Sequence, residues 1–130
     1  MTTTTTGIET IGLVMVPATD QDRSIEFYVN SLGFEKRTDI PFGGSYRWVE
    51  VYPPTGNTGL ALAPPREGED VQPKELGVSL NTTDIDATYA ELRSRGVDVD
   101  EQITRMGGPV PPMFWFRDPD GHSLMVVEQR

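Results

Sequence analysis

His122 is the only histidine in this 130-residue chain, and there is no cysteine. Thiol nucleophiles, disulfides and Cys-ligated zinc or iron–sulfur sites are therefore excluded. A His₃ or H-E-x-x-H zinc site, or a two-His-one-carboxylate iron site, cannot be assembled from one copy. Carboxylates, arginines and two tryptophans, Trp48 and Trp115, are among the side chains left to carry chemistry. His122 directly follows Asp118-Pro119-Asp120-Gly121, a turn sequence, and reads as a turn residue rather than as an acid–base catalyst. The acid pairs Asp20/Asp22 and Asp84/Asp86 each precede an amphipathic run. They read as helix N-terminal capping groups, where short acidic side chains satisfy free N–H groups and suit the helix dipole. They are not a general acid–base pair. Glu9, Glu50 and Glu128 read as rim or solvated carboxylates, since an oxygen-only cation site needs several that converge. Gly107-Gly108-Pro109-Val110-Pro111-Pro112 lacks the lysine and serine of a phosphate loop and reads as a shaped rim loop or a contact between copies.

The elements that must position these side chains occur twice. A short apolar run at Leu13-Val14-Met15-Val16 leads to Thr19-Asp20-Gln21-Asp22 and a helical face of Ile25, Tyr28, Val29 and Leu32, closed by Gly33. The order recurs at an offset of 64 residues at Thr83, Asp84 and Asp86, with Ile85, Tyr89 and Leu92 as the face and Gly96 as the stop. Strand-like runs follow each helix at residues 34–39, 46–52 and 59–63, then at 97–103, 113–117 and 123–128. The expected organisation is one domain, with a first module at 8–63, a linker at 64–75 and a second module at 76–128. The linker carries three prolines and six charged residues. In the strands, Met113, Trp115 and Arg117 share one face. Trp48 and Glu50 share another, opposite Arg47, Val49 and Val51. Phe27, Tyr28 and Phe116 read as core.

Lys plus Arg is 11 and Asp plus Glu is 20, a net charge of −9. Nucleic acid and anionic membrane surfaces are poor partners for such a chain. No run approaches a membrane span, and the threonine-rich start, Met1 to Thr6, reads as a frayed polar tail rather than a signal peptide, so the expected compartment is the cytoplasm.

A strand, helix, strand, strand, strand unit written twice resembles the vicinal oxygen chelate superfamily, which includes glyoxalase I, extradiol dioxygenases, fosfomycin-resistance enzymes and bleomycin-resistance proteins. Ser24-Ile25-Glu26-Phe27-Tyr28 with Leu32-Gly33-Phe34, and Phe116-Arg117-Asp118-Pro119-Asp120-Gly121, match its two signatures. The resemblance implies an α+β fold of two βαβββ modules whose strands form an eight-stranded, cup-shaped mixed sheet with helices on the outer face. It also implies a ligand site in the cup and a homodimer. The family's metal-ligating positions fall on Leu13, Ala61, Gly77 and Met125, none of which offers a hard or borderline cation a usable donor. The expectation is therefore no metal, no cofactor and no catalytic residue. What remains is a cup lined by Leu13, Met15, Trp48, Glu50, Ala61, Met113, Trp115 and Met125. Such a cup suits a metal-independent protein sequestering an aromatic or cationic small molecule, as in the bleomycin-resistance branch. The alternative is a glyoxalase-like lyase or isomerase, with an atypical metal site or Glu50 as general base and Arg47 or Arg117 as electrophile.

Overall fold

The computed structural model describes residues 6–129, so the threonine run at 2–5 lies outside the described residues. β1 (Leu13–Pro17), α1 (Gln21–Glu26), β2 (Glu35–Pro41), β3 (Arg47–Tyr52) and β4 (Gly59–Ala63) form the first module. β5 (Glu75–Thr82), α2 (Ile85–Ser94), β6 (Asp98–Val99), β7 (Met113–Arg117) and β8 (Ser123–Glu128) form the second. Each module is a four-stranded mixed sheet, ordered β1-β4-β3-β2 and β5-β8-β7-β6. In both, the first strand runs parallel to the last and the remaining pairs are antiparallel. The α+β class and the duplicated βαβββ unit are as the sequence implies, with the eight strands divided between two sheets.

The helix ends follow from local chemistry. Asp20 accepts from the N–H of Arg23 at 3.1 Å and Asp84 from that of Ala87 at 3.0 Å. Gly33 and Gly96 end the helical segments at φ +80°, a conformation that only glycine adopts cheaply. α1 is shorter than its apolar face predicts, because Phe27–Ser31 continues as a π-helical turn. There the N–H of Leu32 donates to the carbonyl of Phe27 and that of Phe34 to the carbonyl of Tyr28. The expected strand at 97–103 is also shortened. The Asp100 carboxylate accepts from the N–H of Trp115 at 3.0 Å, in place of the backbone carbonyl that would extend the ladder. Pairing reaches only Asp98–Val99, with an isolated bridge from Thr104 to Met113.

Both helices lie between the two sheets. The buried side chain of Gln21 in α1 spans sheet one, its amide donating to the carbonyls of Arg47 and Leu62. From the adjoining turn, the Phe27 ring lies 6.2 Å from that of Phe116 in sheet two. The Tyr28 hydroxyl donates to Asp118 Oδ2 at 2.8 Å. Arg95, at the end of α2, donates to the carbonyls of Asn30 and Ser31, where the negative end of a helix favours a cation. One apolar core therefore runs through both modules, from Val16, Val49, Val51 and Leu62 to Ile85, Phe114, Phe116 and Leu124. A cavity of ≈ 700 Å³ remains within this seam, lined among others by Val14, Phe34, Leu60, Leu92, Phe116 and Val126.

His122 pins the seam. It is fully buried; its Nε2–H donates to the carbonyl of Pro17 at 2.8 Å, and Nδ1 accepts from the N–H of Lys74 at 3.1 Å. The turn before it is held by Asp118 Oδ1, which accepts from the N–H groups of Asp120 and His122.

Candidate functional site

Because the helices pack on the inner faces of the sheets, each sheet keeps one face without a helix. On sheet one, strand alternation and register decide which side chains share it. Met15 pairs with Ala61, Ala61 with Glu50, and Ile40 with Trp48. Val49 and Val51 are buried in the core. The open face therefore carries Leu13, Met15, Trp48, Glu50, Tyr52 and Ala61. Met15 is 51% exposed, whereas Ala61, in the middle of the sheet, is only 2% exposed. The question of which face of β3 looks outward is thus answered by the core, which takes the valines.

On sheet two, Trp115 pairs with Met125, Met113 with Val127 and Ser79 with Met125, so these residues share the open face. The intervening Phe114 and Phe116 are buried. The expected lining residues thus gather into two sets, one per sheet. The stacked arrangement points the two sets away from each other within a chain.

Each tryptophan is fixed by a carboxylate. Trp48 Nε1–H donates to Glu50 Oε2 at 2.7 Å, and the Tyr52 hydroxyl donates to Glu50 Oε1 at 2.6 Å. These hydrogen bonds, that of Tyr52 first, hold the Glu50 carboxyl below the usual carboxylate range, and the same bond raises the Tyr52 phenol. The Tyr52 ring lies over Gly59, where a Cβ would come within 2.6 Å of it. The Arg37 guanidinium sits over the same ring, 4.5 Å from its centroid. Phe42 stands edge-on to Trp48 at 6.3 Å and 33° from the plane of Tyr46, extending the aromatic surface into the β2–β3 loop. In sheet two, Trp115 Nε1–H donates to Glu75 Oε1 at 3.3 Å.

Tyr52, Phe42, Tyr46 and Glu75 were not among the residues expected from sequence. Tyr52 shares the alternation of Trp48 and Glu50, so its signal was present. Glu75 was counted with the linker, and the two aromatics lie in or beside a glycine-containing loop that has no periodicity.

Arg47, Arg117 and Glu128 are committed to partners within the chain. Arg47 binds Asp39 at 3.0 Å and Asp22 at 2.8 Å, on the opposite face of β3 from Glu50. Arg117 binds Asp98 at 3.1 Å and Asp100 at 2.7 Å. Glu128 accepts from the N–H of Ile85 at 3.1 Å and so completes the N-terminus of α2.

Neither group of candidate metal positions fits a divalent ion. Leu13, Ala61, Gly77 and Met125 present no nitrogen or oxygen side-chain ligand. Among the described residues, Asp118, Asp120 and His122 do bring one ligand atom each within 4.8 Å of one another. Asp118 and both ring nitrogens of His122 are, however, occupied by the hydrogen bonds of the seam. Asp120 accepts from the N–H of Thr19 and faces Arg23 at 3.4 Å.

The chain matches the family described as Glyoxalase/Bleomycin resistance protein/Dioxygenase superfamily over residues 10–126. It is similar to a solved member of that superfamily from Sphaerobacter thermophilus, at 34% identity and a TM-score of 0.84, covering 94% of this chain and 98% of that one. It is also similar to TnmS3 from Streptomyces sp. CB03234, described as an antibiotic binding protein, at 31% identity and a TM-score of 0.81, covering 97% and 100% of the two chains. The Bacillus subtilis protein YurT is 31% identical over 119 residues, 85% of this chain and 91% of that protein.

Proposed function

The chain belongs to the glyoxalase/bleomycin resistance protein/dioxygenase superfamily, and on that premise we propose that it is a metal-independent small-molecule binding protein. It sequesters an aromatic or cationic ligand in a cup whose walls are the open sheet faces. The observation that carries this reading is the aromatic, donor-poor face of sheet one. Trp48 and Tyr52 flank a carboxylate there, while the positions that would hold a metal read Leu13 and Ala61. In sheet two, Gly77 and Met125 take the same roles beside Trp115 and Met113. A solved relative described as an antibiotic binding protein supports a binding role.

A cup needs two facing walls, and the two open faces of one chain point apart. The reading therefore includes a homodimer, in which sheet one of one protomer faces sheet two of its partner, and a cytoplasmic location. Among the described residues no helix is long and apolar enough to cross a membrane. The alternative lyase or isomerase chemistry has less support. Glu50 is a weakened base whose two oxygens each already accept a hydrogen bond, and Arg47 lies across the sheet from it.

Tryptophan fluorescence titrated with a panel of small aromatic compounds tests the reading, alongside metal analysis and sedimentation of the purified protein. Quenching that is lost in both Trp48→Phe and Trp115→Phe, no stoichiometric divalent ion and a dimer are expected. One tightly bound equivalent of nickel, zinc, manganese or iron would overturn it, as would turnover of the methylglyoxal hemithioacetal.

A further inference from the structure

Two half-buried carboxylates, Glu50 and Glu128, form no ion pair among the described residues; Glu128 lies on the core side of β8 and completes α2, so Glu50 alone of the two stands on an open sheet face. Asp39 is paired with Arg47 and Asp100 with Arg117. Glu50 forms no ion pair among the described residues and is held only by two neutral donors, Trp48 Nε1–H and the Tyr52 hydroxyl. Arg37, over the Tyr52 ring, directs its N–H groups to Glu35 and to the carbonyls of Gly56, Pro53 and Pro54. The carboxylate stands beside Met15 and Ala61 on the open face. Each of its oxygens has capacity for a further donor. The same hydrogen bond that fixes Glu50 uses the only polar atom of the Trp48 side chain. What Trp48 can offer a ligand is therefore its ring face, with its orientation already set.

We infer that Glu50 is the specificity-determining residue of the cup, and that its ligand is a flat aromatic molecule bearing a protonated nitrogen. The nitrogen donates to Glu50 and the ring lies against Trp48. This rests on the binding function proposed above and narrows its ligand class. Aromatic contact and charge pairing are then made by adjacent side chains, so a ligand offering both features gains over one offering either.

Three tricyclic probes of similar size separate the terms at 150 mM salt: cationic 9-aminoacridine, neutral acridone and anionic anthracene-9-carboxylate. We expect 9-aminoacridine to bind about tenfold to a hundredfold more tightly than acridone, the range for a hydrogen bond to a charged group, and the anion to bind most weakly. Glu50→Gln should remove the preference for the cation and leave acridone within about twofold of its original affinity, whereas Glu26→Gln, on an exposed position of α1, should change neither. In the unsubstituted protein, the Glu50 carboxyl carbon resonance should shift with 9-aminoacridine and not with acridone, a readout that does not depend on how the variant folds. Equal affinity for cation and neutral probe, or a Glu50 resonance unmoved by a bound cation, overturns the inference while the binding function stands. Absence of binding by all three probes overturns both.

Discussion

Tyr28→Phe removes a single atom from the seam between the modules, the hydroxyl that donates to Asp118 Oδ2 at 2.8 Å. The ring and its edge-on contact with Phe27 at 5.2 Å remain, so no cavity is made. Burial, with the charge of Asp118 adding to it, pushes the Tyr28 phenol far above its ordinary value, so it is a neutral donor throughout the stable pH range. A hydrogen bond to a charged acceptor contributes about 1.5–3 kcal/mol. Asp118 keeps the backbone donors of Asp120 and His122 at its other oxygen, which limits the loss to about 2 kcal/mol. In a chain of this length that corresponds to a fall in Tm of roughly 6–10 °C. Urea unfolding at fixed protein concentration should show a lower midpoint with an unchanged slope. Asp118→Asn, alone and combined with Tyr28→Phe, should show coupling above about 1 kcal/mol. A Tyr28→Phe effect below about 0.5 kcal/mol, the size of an ordinary surface substitution, would refute the claim that this bond holds the modules back to back. The opposed orientation of the open faces would then lose its main polar support.

Three further outcomes follow from individual contacts. Asp39 is lowered from 3.8 to about 2 by its hydrogen bonds to Arg47 and then Lys36. Its contribution to stability is present above its unfolded value and is lost as pH falls through about 2; NMR titration should place its midpoint there and move it upward in Arg47→Gln. Gly59→Ala puts a Cβ 2.6 Å from the Tyr52 ring, and should cost about 1–3 kcal/mol in chemical unfolding. His122→Ala releases both Pro17 and Lys74, so trypsin should cut faster at Arg66 and Lys74, while a cleavage rate equal to that of the parent protein would remove His122 from its role as the clamp of the linker.

Much of the fold was legible because its signals are local. Aspartate caps, glycine stops and a 3.6-residue apolar face act within a few residues of one another, and the repeat doubled each signal. The hairpin register that pairs Trp115 with Met125 also follows from a tight turn between adjacent strands. The π-helical turn at Phe27–Ser31 was not legible, since its widened bonds accompany contacts of Phe27 and Tyr28 with residues some ninety positions away. His122 read as a turn residue, whereas it is buried between Pro17 and Lys74, which no local pattern links to it.

The candidate site divides in the same way. The sequence by itself determined its side-chain inventory: one histidine, no cysteine, two tryptophans, and no metal donor at Leu13, Ala61, Gly77 or Met125. Alternation determined that Trp48 and Glu50 act on one side of β3. Only the tertiary structure decided that this side is the open one, because the core between the sheets takes Val49 and Val51. It also decided that Tyr52 joins Glu50, and that the two tryptophan-bearing faces of one chain look in opposite directions. Residue types and periods are properties of neighbours along the chain. The direction a sheet faces is settled by which of its surfaces can bury the most apolar area against the other module.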